Sequence, residues 1–428
     1  MSITSSLYTG MSGLLTYGSS LSVVGNNVAN VNTVGFKASL AEFANLLSTL
    51  EGGAEIGRGV SLAGVTRLFL QGALQTTGNT TDLAIQGTGL FIVKDTAGNS
   101  FYTRAGQFHV DENGNLVNPQ GFTLQGFPVD ETGTPAGGLW SIVLDSGLAL
   151  PPTATTSLSL AVNLDAAATT PVDEEGNPIE FPTEDAPPED WFAASNFSAT
   201  VTVYDSLGQA HELTVLFQKS ADDPLSWDYV VVANASELGG DEPNLTQVGD
   251  GTLTFNDDGT LEDPGDLTID GLTDLANGAV DLAITLSFDG STQYAQTSAV
   301  TSVQQDGSST GALTGITIDA QGIITGQFSN GGALALYQIA LADFPSVEGL
   351  AAVGNTLFAQ SSDSGEVQIS TPGTGGFGTL LSGGLELSTV DITQEFVSLI
   401  GSQRGFQVNS RVVTVADQMY DEVANLKR

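Results

Sequence analysis

Apolar side chains that recur every seven residues near both ends of the chain constrain its fold more than any other feature. This spacing is typical of the contact line in a coiled coil. The recurring residues are Leu7, Leu14, Leu21 and Val28 near the N-terminus, and Ile392, Leu399, Phe406, Val413 and Tyr420 near the C-terminus. We therefore predict a helix at each end of the chain and expect the two helices to pair.

Either heptad pattern alone would also fit an amphipathic helix on a globular core, but two matched patterns favour pairing. Asp391, with Gln394 three residues later, is a capping pattern that predicts a helix from about 391 to 426. This helix would be about 50 Å long and would need a partner along its length. Glycines interrupt the N-terminal pattern at Gly10, Gly13, Gly18 and Gly25. Because each costs about 1 kcal/mol relative to alanine in a helix, the N-terminal helix should be stable only when packed.

The chain between the two helical patterns reads as β-strands. Apolar and alternating runs predict strands within 83–94, 101–110, 199–217 and 227–233. A turn phrase, in which an acidic or amide residue is followed by glycine and then an apolar residue, recurs at 111–116, 256–261 and 319–324. Turn chemistry explains this phrase better than a calcium loop does. The predicted fold is mostly β, with paired terminal α-helices and two or more β-domains between them.

Charge is abundant and unevenly placed. The 49 acidic and 10 basic residues give a formal charge of -39, which argues against binding to nucleic acid or to an anionic membrane. Residues 151–290 hold 27 of the carboxylates, whereas none precedes Glu42. A near-neutral end favours packing against other chains, and an acidic middle favours exposure to solvent.

Catalytic and metal-binding chemistry finds little support in the composition. The absence of cysteine excludes disulfides, zinc-thiolate sites and thiol nucleophiles. His109 and His211 lie in strand-like runs without a supporting motif, and we expect both to be partly exposed strand residues. We therefore predict a protein that is not an enzyme and that needs no cofactor and no metal.

Two further patterns bear on the cellular location. The first 25 residues contain no Lys or Arg, and Ser, Thr and Gly interrupt every apolar run, unlike a secretory signal peptide. No window reaches about 18 uninterrupted apolar residues, so we expect no membrane insertion. An extracellular location would require another export route.

The segment NNVANVNTVGFK at 26–37 follows the N-terminal heptads and is unusually rich in asparagine. We expect its polar side chains, Asn27, Asn30, Asn32 and Thr33, to bond the free carbonyls where the helix ends. Gly35 would permit the backbone conformation that stops the helix. Phe36 would anchor the exiting segment, and Lys37 would lie near the helix C-terminus, where a cation is favoured. The alternative is a glycosylated or deamidation-prone turn without a role.

The same segment resembles the N-terminal signature of bacterial flagellar rod and hook proteins, in which asparagines, Thr-x-Gly-Phe and Lys close the first helix. TDLAIQGTGLFIV with YTRAGQF, and QFSNGGALALYQIALADF, resemble the two halves of the β-domain that these proteins share. GLELSTVDITQEFVSLIGSQRGFQVNSRVV resembles their C-terminal helix, and FSATVTVYDSLGQAHELTV resembles the outer domain that separates hook subunits from distal-rod proteins. The resemblance covers nearly the whole chain.

This resemblance implies a domain order and a structural function. The expected parts are a terminal coiled-coil domain (1–34 with 388–428), connecting segments (35–80 with 365–387), an inner β-domain (81–150 with 291–364) and an outer acidic β-domain (151–290). Many copies would form the curved tube of the flagellar hook, a flexible joint that transmits torque from the basal body to the filament. The heptad residues, with Asn27, Asn30, Thr33, Gly35, Phe36 and Lys37, would be the assembly residues.

The implied partners are other copies of the chain, the distal rod, the hook cap, the hook-filament junction proteins and the flagellar export apparatus. The subunit would leave the cell through the flagellar type III pathway without a cleaved signal peptide and would reside in the extracellular hook. Two alternatives stay open. A distal-rod protein would share both ends but lack residues 151–290, and an acidic β-rich surface adhesin or secreted polysaccharide enzyme would not need paired heptads.

Overall fold

The computed structural model describes residues 3–47, 49–51, 54–130, 133–145, 147–182, 186–238, 244–262, 267–273, 275 and 277–425. The α-helices of these residues are α1 (Ile3–Ala29), α2 (Pro188–Ala194) and α3 (Ile392–Asn425). Residues 1–2 and 426–428, which the sequence assigns to the terminal helical domain, lie outside the described residues. No helix in the described ranges is both long and apolar enough to cross a membrane.

The described strands follow in chain order. The first group is β1 (Ser39–Asn45), β2 (Thr49–Glu51), β3 (Ala54–Ile56), β4 (Val60–Arg67), β5 (Leu74–Thr76), β6 (Leu83–Gln86), β7 (Leu90–Lys94), β8 (Ser100–Thr103), β9 (His109–Val110), β10 (Leu116–Val117), β11 (Thr123–Pro128), β12 (Trp140–Ser141) and β13 (Ala149–Leu150). The second group is β14 (Ser157–Asn163), β15 (Phe197–Tyr204), β16 (Ala210–Lys219), β17 (Ser226–Asn234), β18 (Leu245–Thr254), β19 (Leu267–Leu272), β20 (Leu282–Ser287) and β21 (Ala299–Gln305). The third group is β22 (Gly311–Ile318), β23 (Ile323–Phe328), β24 (Ala333–Ile339), β25 (Leu341–Asp343), β26 (Ala351–Gly354), β27 (Leu357–Ala359), β28 (Gln368–Ser370), β29 (Thr379–Ser382) and β30 (Gly384–Glu386).

These elements form two compact units. The first unit contains the described residues within 1–146, 315–326 and 333–428, and the second contains those within 147–314 and 327–332. The mostly β fold with packed terminal helices, predicted from the two heptad patterns, is confirmed.

The first unit combines the terminal helices with antiparallel sheet. Strands β24, β11, β7, β8, β27 and β26 lie side by side in that order, and β1 and β4 form a separate two-stranded ribbon. Its core contains Leu83, Phe91, Leu124 and Ile339, none of which is exposed. Leu83 and Phe91 belong to the run 83–94, so this run, predicted as strand, does bury apolar side chains.

The second unit is a sandwich of two four-stranded sheets. One sheet has the order β15-β16-β17-β18 and the other has the order β19-β20-β14-β21. Phe217, Trp227, Ile284 and Phe288 belong to the core that both sheets share, as alternating inward-facing residues should in a sandwich. The short helix α2 covers the outer face of the first sheet through Trp191.

The two histidines, predicted to be partly exposed, lie in different environments. His109 is exposed on β9, whereas the side chain of His211 on β16 is 2% exposed. The prediction is therefore wrong for His211, because its ring is hydrogen-bonded to two carboxylates that allow a polar side chain to be buried.

The recurring turn phrase forms the tight turns predicted for it. In the turn between β9 and β10, one carboxylate oxygen of Asp111 accepts hydrogen bonds from the backbone N–H groups of Asn113 and Asn115 (2.9 and 2.7 Å). The Asn115 amide bonds the other oxygen at 2.9 Å, and this hydrogen bond lowers the pKa of Asp111. Gly114 takes a φ of 81°, which the turn requires and which glycine adopts without strain.

Candidate functional site at the terminal helices

Small side chains bring α1 and α3 into close contact. A methyl group at Gly13 would lie 2.5 Å from the Asn409 Oδ1, and one at Gly405 would lie 2.5 Å from the ring of Tyr17. The hydroxyl groups of Ser20 and Ser402 are hydrogen-bonded at 3.1 Å and are buried. Of the four glycines that weaken α1 as an isolated helix, Gly10 and Gly13 are thus the ones that let α3 approach it, whereas a methyl group at Gly18 or Gly25 would meet nothing within 4 Å.

Not every predicted heptad residue is buried by this contact. Val413 packs against Gly10, where an added methyl group would lie 3.0 Å from its Cγ2. The half-buried members of the predicted set are Leu7, Leu14, Leu21, Val28, Leu399 and Val413. The heptad pattern predicts burial for Ile392, Phe406 and Tyr420, but these residues are 41% to 46% exposed. Ser402, Gly405 and Asn409 lie in the contact with α1 instead.

The faces of α3 that do not contact α1 are strongly apolar. Large apolar side chains project along the helix, including Val412, which also lies beside Gly10 of α1. The exposed residues are Ile392, Phe396, Val397, Ile400, Phe406, Val408, Val412, Val415, Met419, Tyr420 and Val423. Each is between 39% and 67% exposed. The helix is about 51 Å long at 1.5 Å per residue. An apolar surface of this length is unusual for a chain that remains single in water.

Part of this surface forms an open groove, which we call the α3 groove. It has a volume of about 540 Å³ and is lined by Ser6, Val408, Arg411, Val412, Val415, Ala416 and Met419. The four large apolar residues follow one another at spacings of four, three and four, so they lie on one face of the helix. Arg411 is the charged residue at its edge.

The β1–β4 ribbon lies against α1. The Ser12 hydroxyl accepts a hydrogen bond from the Val60 N–H at 3.2 Å, and the Thr16 hydroxyl donates one to the Val60 carbonyl at 3.4 Å. The rings of Tyr17 and Phe43 meet edge to face with centroids 5.5 Å apart. The N-terminal helix is therefore held on one side by the ribbon and on another by α3.

Asn27 links three elements at the end of α1. Its amide donates to the Ser39 carbonyl (2.8 Å) and to the Glu395 Oε1 (2.9 Å), and its Oδ1 accepts from the Ser39 N–H (2.9 Å). The residue is 1% exposed. The prediction that Asn27 bonds the helix carbonyls is therefore wrong, since its amide fixes strand β1 and helix α3 to α1 instead.

Asn30 and Thr33 behave more nearly as predicted. The Asn30 amide donates at 2.9 Å to the Asn26 carbonyl in the last turn of α1, which also accepts the Asn30 N–H at 3.2 Å. The Thr33 hydroxyl donates to the Asn30 Oδ1 at 3.1 Å and holds that amide in place. Asn32 is exposed.

Gly35 and Lys37 have roles other than those predicted. Gly35 lies six residues beyond Ala29, the last residue of α1, so it does not stop the helix. Its φ of 68° allows the chain to pass the backbone of Ala105, which a methyl group at Gly35 would approach to 2.5 Å. Lys37 is 2% exposed and faces a carboxylate rather than the helix end.

That carboxylate belongs to Glu386, the centre of a buried charged cluster. The Lys37 Nζ lies 2.6 Å from its Oε1 and the Arg104 Nη1 lies 3.2 Å from its Oε2. The Gly72 N–H donates to Oε1 at 2.7 Å, and Lys37 also donates to the Leu70 carbonyl. Burial lowers the pKa of Lys37 and of Arg104, although the charge of Glu386 acts in the opposite direction.

Sequence reasoning missed Glu386 and Arg104. A signal was present, because Glu386 is the one charged residue in the segment from 379 to 390 and Arg104 is one of only 10 basic residues. Phe36, Lys37 and Arg67 line an open cavity of about 390 Å³ beside this cluster.

The predicted cap of α3 is confirmed, since the Asp391 Oδ1 accepts from the N–H groups of Thr393 (2.7 Å) and Gln394 (3.1 Å).

Family models of flagellar proteins match most of the chain. The model described as flagella basal body rod protein matches residues 7–37, and the flagellar basal body rod FlgEFG protein C-terminal model matches 381–426. The flagellar hook protein FlgE/F/G D1 domain matches 84–176, and the flagellar basal body protein FlaE D2 domain matches 163–308. The terminal matches contain α1 from residue 7 onward, the asparagine-rich segment and α3.

Full-length relatives agree with these matches. The flagellar hook protein FlgE of Salmonella typhimurium is 36% identical over 97% of this chain and 98% of its own length. That of Escherichia coli K12 has the same identity and coverage, and that of Borreliella burgdorferi is 32% identical over 99% of both chains. With this identity over nearly its whole length, the chain belongs to the flagellar hook protein family.

Proposed function

We propose that this protein is the structural subunit of a flagellar hook and that it polymerises with copies of itself through the apolar faces of α3. The observation that carries this proposal is the row of apolar side chains, 39% to 67% exposed, along the whole of α3. A single chain leaves these side chains in water, whereas neighbouring copies would bury them. A head-to-tail contact that does not close produces a helical filament.

The finer features implied by the resemblance belong to this proposal. The subunit would form a curved tube that transmits torque, with the distal rod, hook cap and hook-filament junction proteins as neighbours. It would reach the extracellular hook through the flagellar type III export apparatus. The heptad residues and the segment 27–37 are its proposed assembly residues, and 1–34 with 388–428 is its proposed assembly domain.

The α3 groove gives a direct test. Val408 and Val415 are 61% and 47% exposed, so their exposed parts together amount to about one whole valine side chain. Burying such a side chain contributes about 1.5–3 kcal/mol, and 1.4 kcal/mol corresponds to about a factor of ten in an equilibrium constant. The double variant Val408→Ser, Val415→Ser should therefore raise the critical concentration for polymerisation on the order of 10- to 100-fold.

The matched control is Val172→Ser, because Val172 is 54% exposed and lies in the second unit. Its critical concentration should equal that of the parent chain. Electron microscopy of negatively stained polymers shows whether the parent forms curved tubes, as a hook subunit should, or straight ones, as a rod protein should. A parent chain that never polymerises would refute the proposed function. Equal critical concentrations for parent and double variant would refute the role of the α3 groove alone.

A further inference from the structure

The buried ring of His211 lies between two carboxylates in the second unit. Its Nδ1 is 2.5 Å from the Glu237 Oε2, and its Nε2 is 3.1 Å from the Asp205 Oδ2. The side chains of His211 and Asp205 are 2% and 0% exposed, and that of Glu237 is 27% exposed. The ring thus has an anionic oxygen at hydrogen-bond distance from each nitrogen.

This geometry fixes the protonation state of the ring. An ionised carboxylate only accepts hydrogen bonds, and a neutral imidazole carries a proton on one nitrogen only. A neutral His211 would therefore turn a lone pair toward one of the two carboxylates and leave two negative charges facing each other across the ring. The imidazolium ion, with a proton on both nitrogens, satisfies both carboxylates at once.

Asp205 is held in its ionised form by further donors. Its Oδ1 accepts from the N–H groups of Leu207 (2.8 Å) and Gln209 (2.9 Å), and its Oδ2 accepts from the Asn277 amide as well as from His211. Burial alone would raise the pKa of Asp205, but the hydrogen bonds from Asn277 and His211 outweigh it and lower that pKa. Because its pKa is lowered, Asp205 keeps its negative charge beside the ring.

The three charged residues come from the hairpin of β15 and β16 and from the segment after β17. Asp205 lies in the turn between β15 and β16, His211 lies on β16, and Glu237 lies in a 3₁₀ turn that follows β17. We propose that Asp205, His211 and Glu237 form a charged lock. While the imidazole carries both protons, the lock holds these segments together, and when one proton leaves, it no longer does. This lock is independent of the proposed assembly through the terminal helices.

Two carboxylates dominate the surroundings of the ring. Burial by itself lowers the pKa of His211, but the hydrogen bonds and charges of Glu237 and Asp205 outweigh it and raise that pKa above its ordinary value. The neighbouring Glu212 is exposed on the opposite face of the strand. Because the folded-state pKa is the higher one, the lock contributes its full stability below the unfolded value of about 6.5 and loses it as pH rises through the folded value.

The presence of only two histidines permits a direct measurement. In the full chain with His109→Gln, every imidazole signal in a nuclear magnetic resonance spectrum comes from His211. The titration midpoint of this ring should lie above the ordinary value of about 6.5, and both ring nitrogens should carry protons at pH 6. Glu237→Gln in the same background should lower the midpoint. A midpoint at or below 6.5, or one bare nitrogen at pH 6, would overturn the proposal.

Unfolding of the second unit provides the second readout. Trp191 and Trp227 are buried there, whereas Trp140 is 65% exposed in the first unit, so the change in tryptophan fluorescence reports mainly on the second unit. The urea midpoint of the parent and of His109→Gln should fall between pH 6 and pH 9. This fall should be smaller in Glu237→Gln and in His211→Gln. If His211→Gln does not fold, the Glu237→Gln comparison decides, and parallel pH profiles of parent and Glu237→Gln would reject the lock.

Discussion

Replacing Glu386 by glutamine tests the buried charged cluster beside the terminal helices. Glutamine has nearly the same shape but no charge and only one acceptor oxygen. Glu386 uses one oxygen for Lys37 and the Gly72 N–H and the other for Arg104. In Glu386→Gln, an NH₂ group must therefore face a donor on one of these sides, and two buried cations lose their counter-ion.

The size of the effect follows from this geometry. Breaking a buried ion pair by removing one partner costs about 3–5 kcal/mol, because the remaining charge is left uncompensated in the interior. Glu386 is fully buried and Lys37 and Arg104 are each 8% exposed or less, so solvent cannot replace the lost partner. The folding equilibrium constant of the first unit should fall by a factor of about 10² to 4 × 10³.

Circular dichroism at 222 nm follows this unfolding, because α1 and α3 contain 27 and 34 helical residues and belong to the first unit. The matched control is Glu366→Gln, the same substitution at an exposed position of that unit. It should shift the free energy of unfolding by about 0.5 kcal/mol or less. A loss in Glu386→Gln no larger than in this control would refute the assignment of the cluster as a structural element.

The pH dependence of the stability of Glu386→Gln provides a second measurement on the same cluster. Burial lowers the pKa of Lys37, while Glu386 acts to raise it, so that pKa falls further in Glu386→Gln. Between the folded value and the unfolded value of about 10.4, the unfolded chain binds more protons and stability rises with pH. The deficit of the variant should therefore shrink between pH 7 and pH 9.5. A deficit that grows over this range would contradict the reasoning.

Two other perturbations test the helix junction and the charge distribution. Asn27→Ala should destabilise the first unit by about 1–3 kcal/mol in urea unfolding, because the Ser39 N–H and carbonyl lose their buried partner; the exposed Asn32→Ala is the control, and equal stabilities would contradict the junction role. Raising sodium chloride should lower the critical concentration for polymerisation, because it screens repulsion among the 27 carboxylates of residues 151–290 over a Debye length of about 10 Å at 0.1 M. A critical concentration that rises with salt would show that attraction between charges drives assembly.

Elements defined by local sequence could be predicted well. The capping pattern at Asp391 placed the start of α3, and the period of seven identified both terminal helices, because these signals depend on neighbours within a few turns. The strand pattern at 199–217 resolved correctly into β15 and β16 around a turn at Gly208, whose φ is 82°. Turn chemistry and side-chain alternation depend only on consecutive residues.

The charged clusters could not be predicted in this way. Lys37 and Glu386 are separated by 349 positions, and the link between Asn27 and Glu395 spans 368. The sequence gives each residue a local role, such as a helix end for Lys37, whereas the actual partner depends on how the two ends of the chain meet. His211 illustrates the same limit, since Glu237, which lies in another segment of the second unit, is what makes its burial possible.

The heptad pattern of α3 shows why a correct period can still leave the contact surface undetermined. A helix that packs on α1 alone would bury its largest apolar residues there, since that burial gives the most free energy. In α3 several positions against α1 are instead small or polar, with Ser402, Gly405 and Asn409 in the contact beside Val413. Large residues such as Phe396 and Met419 are exposed. A period of seven predicts that apolar residues of a helix contact neighbouring helices, but it does not say which neighbour each face contacts. A sequence that serves several contacts in a polymer therefore has some apolar positions that are exposed in the single chain.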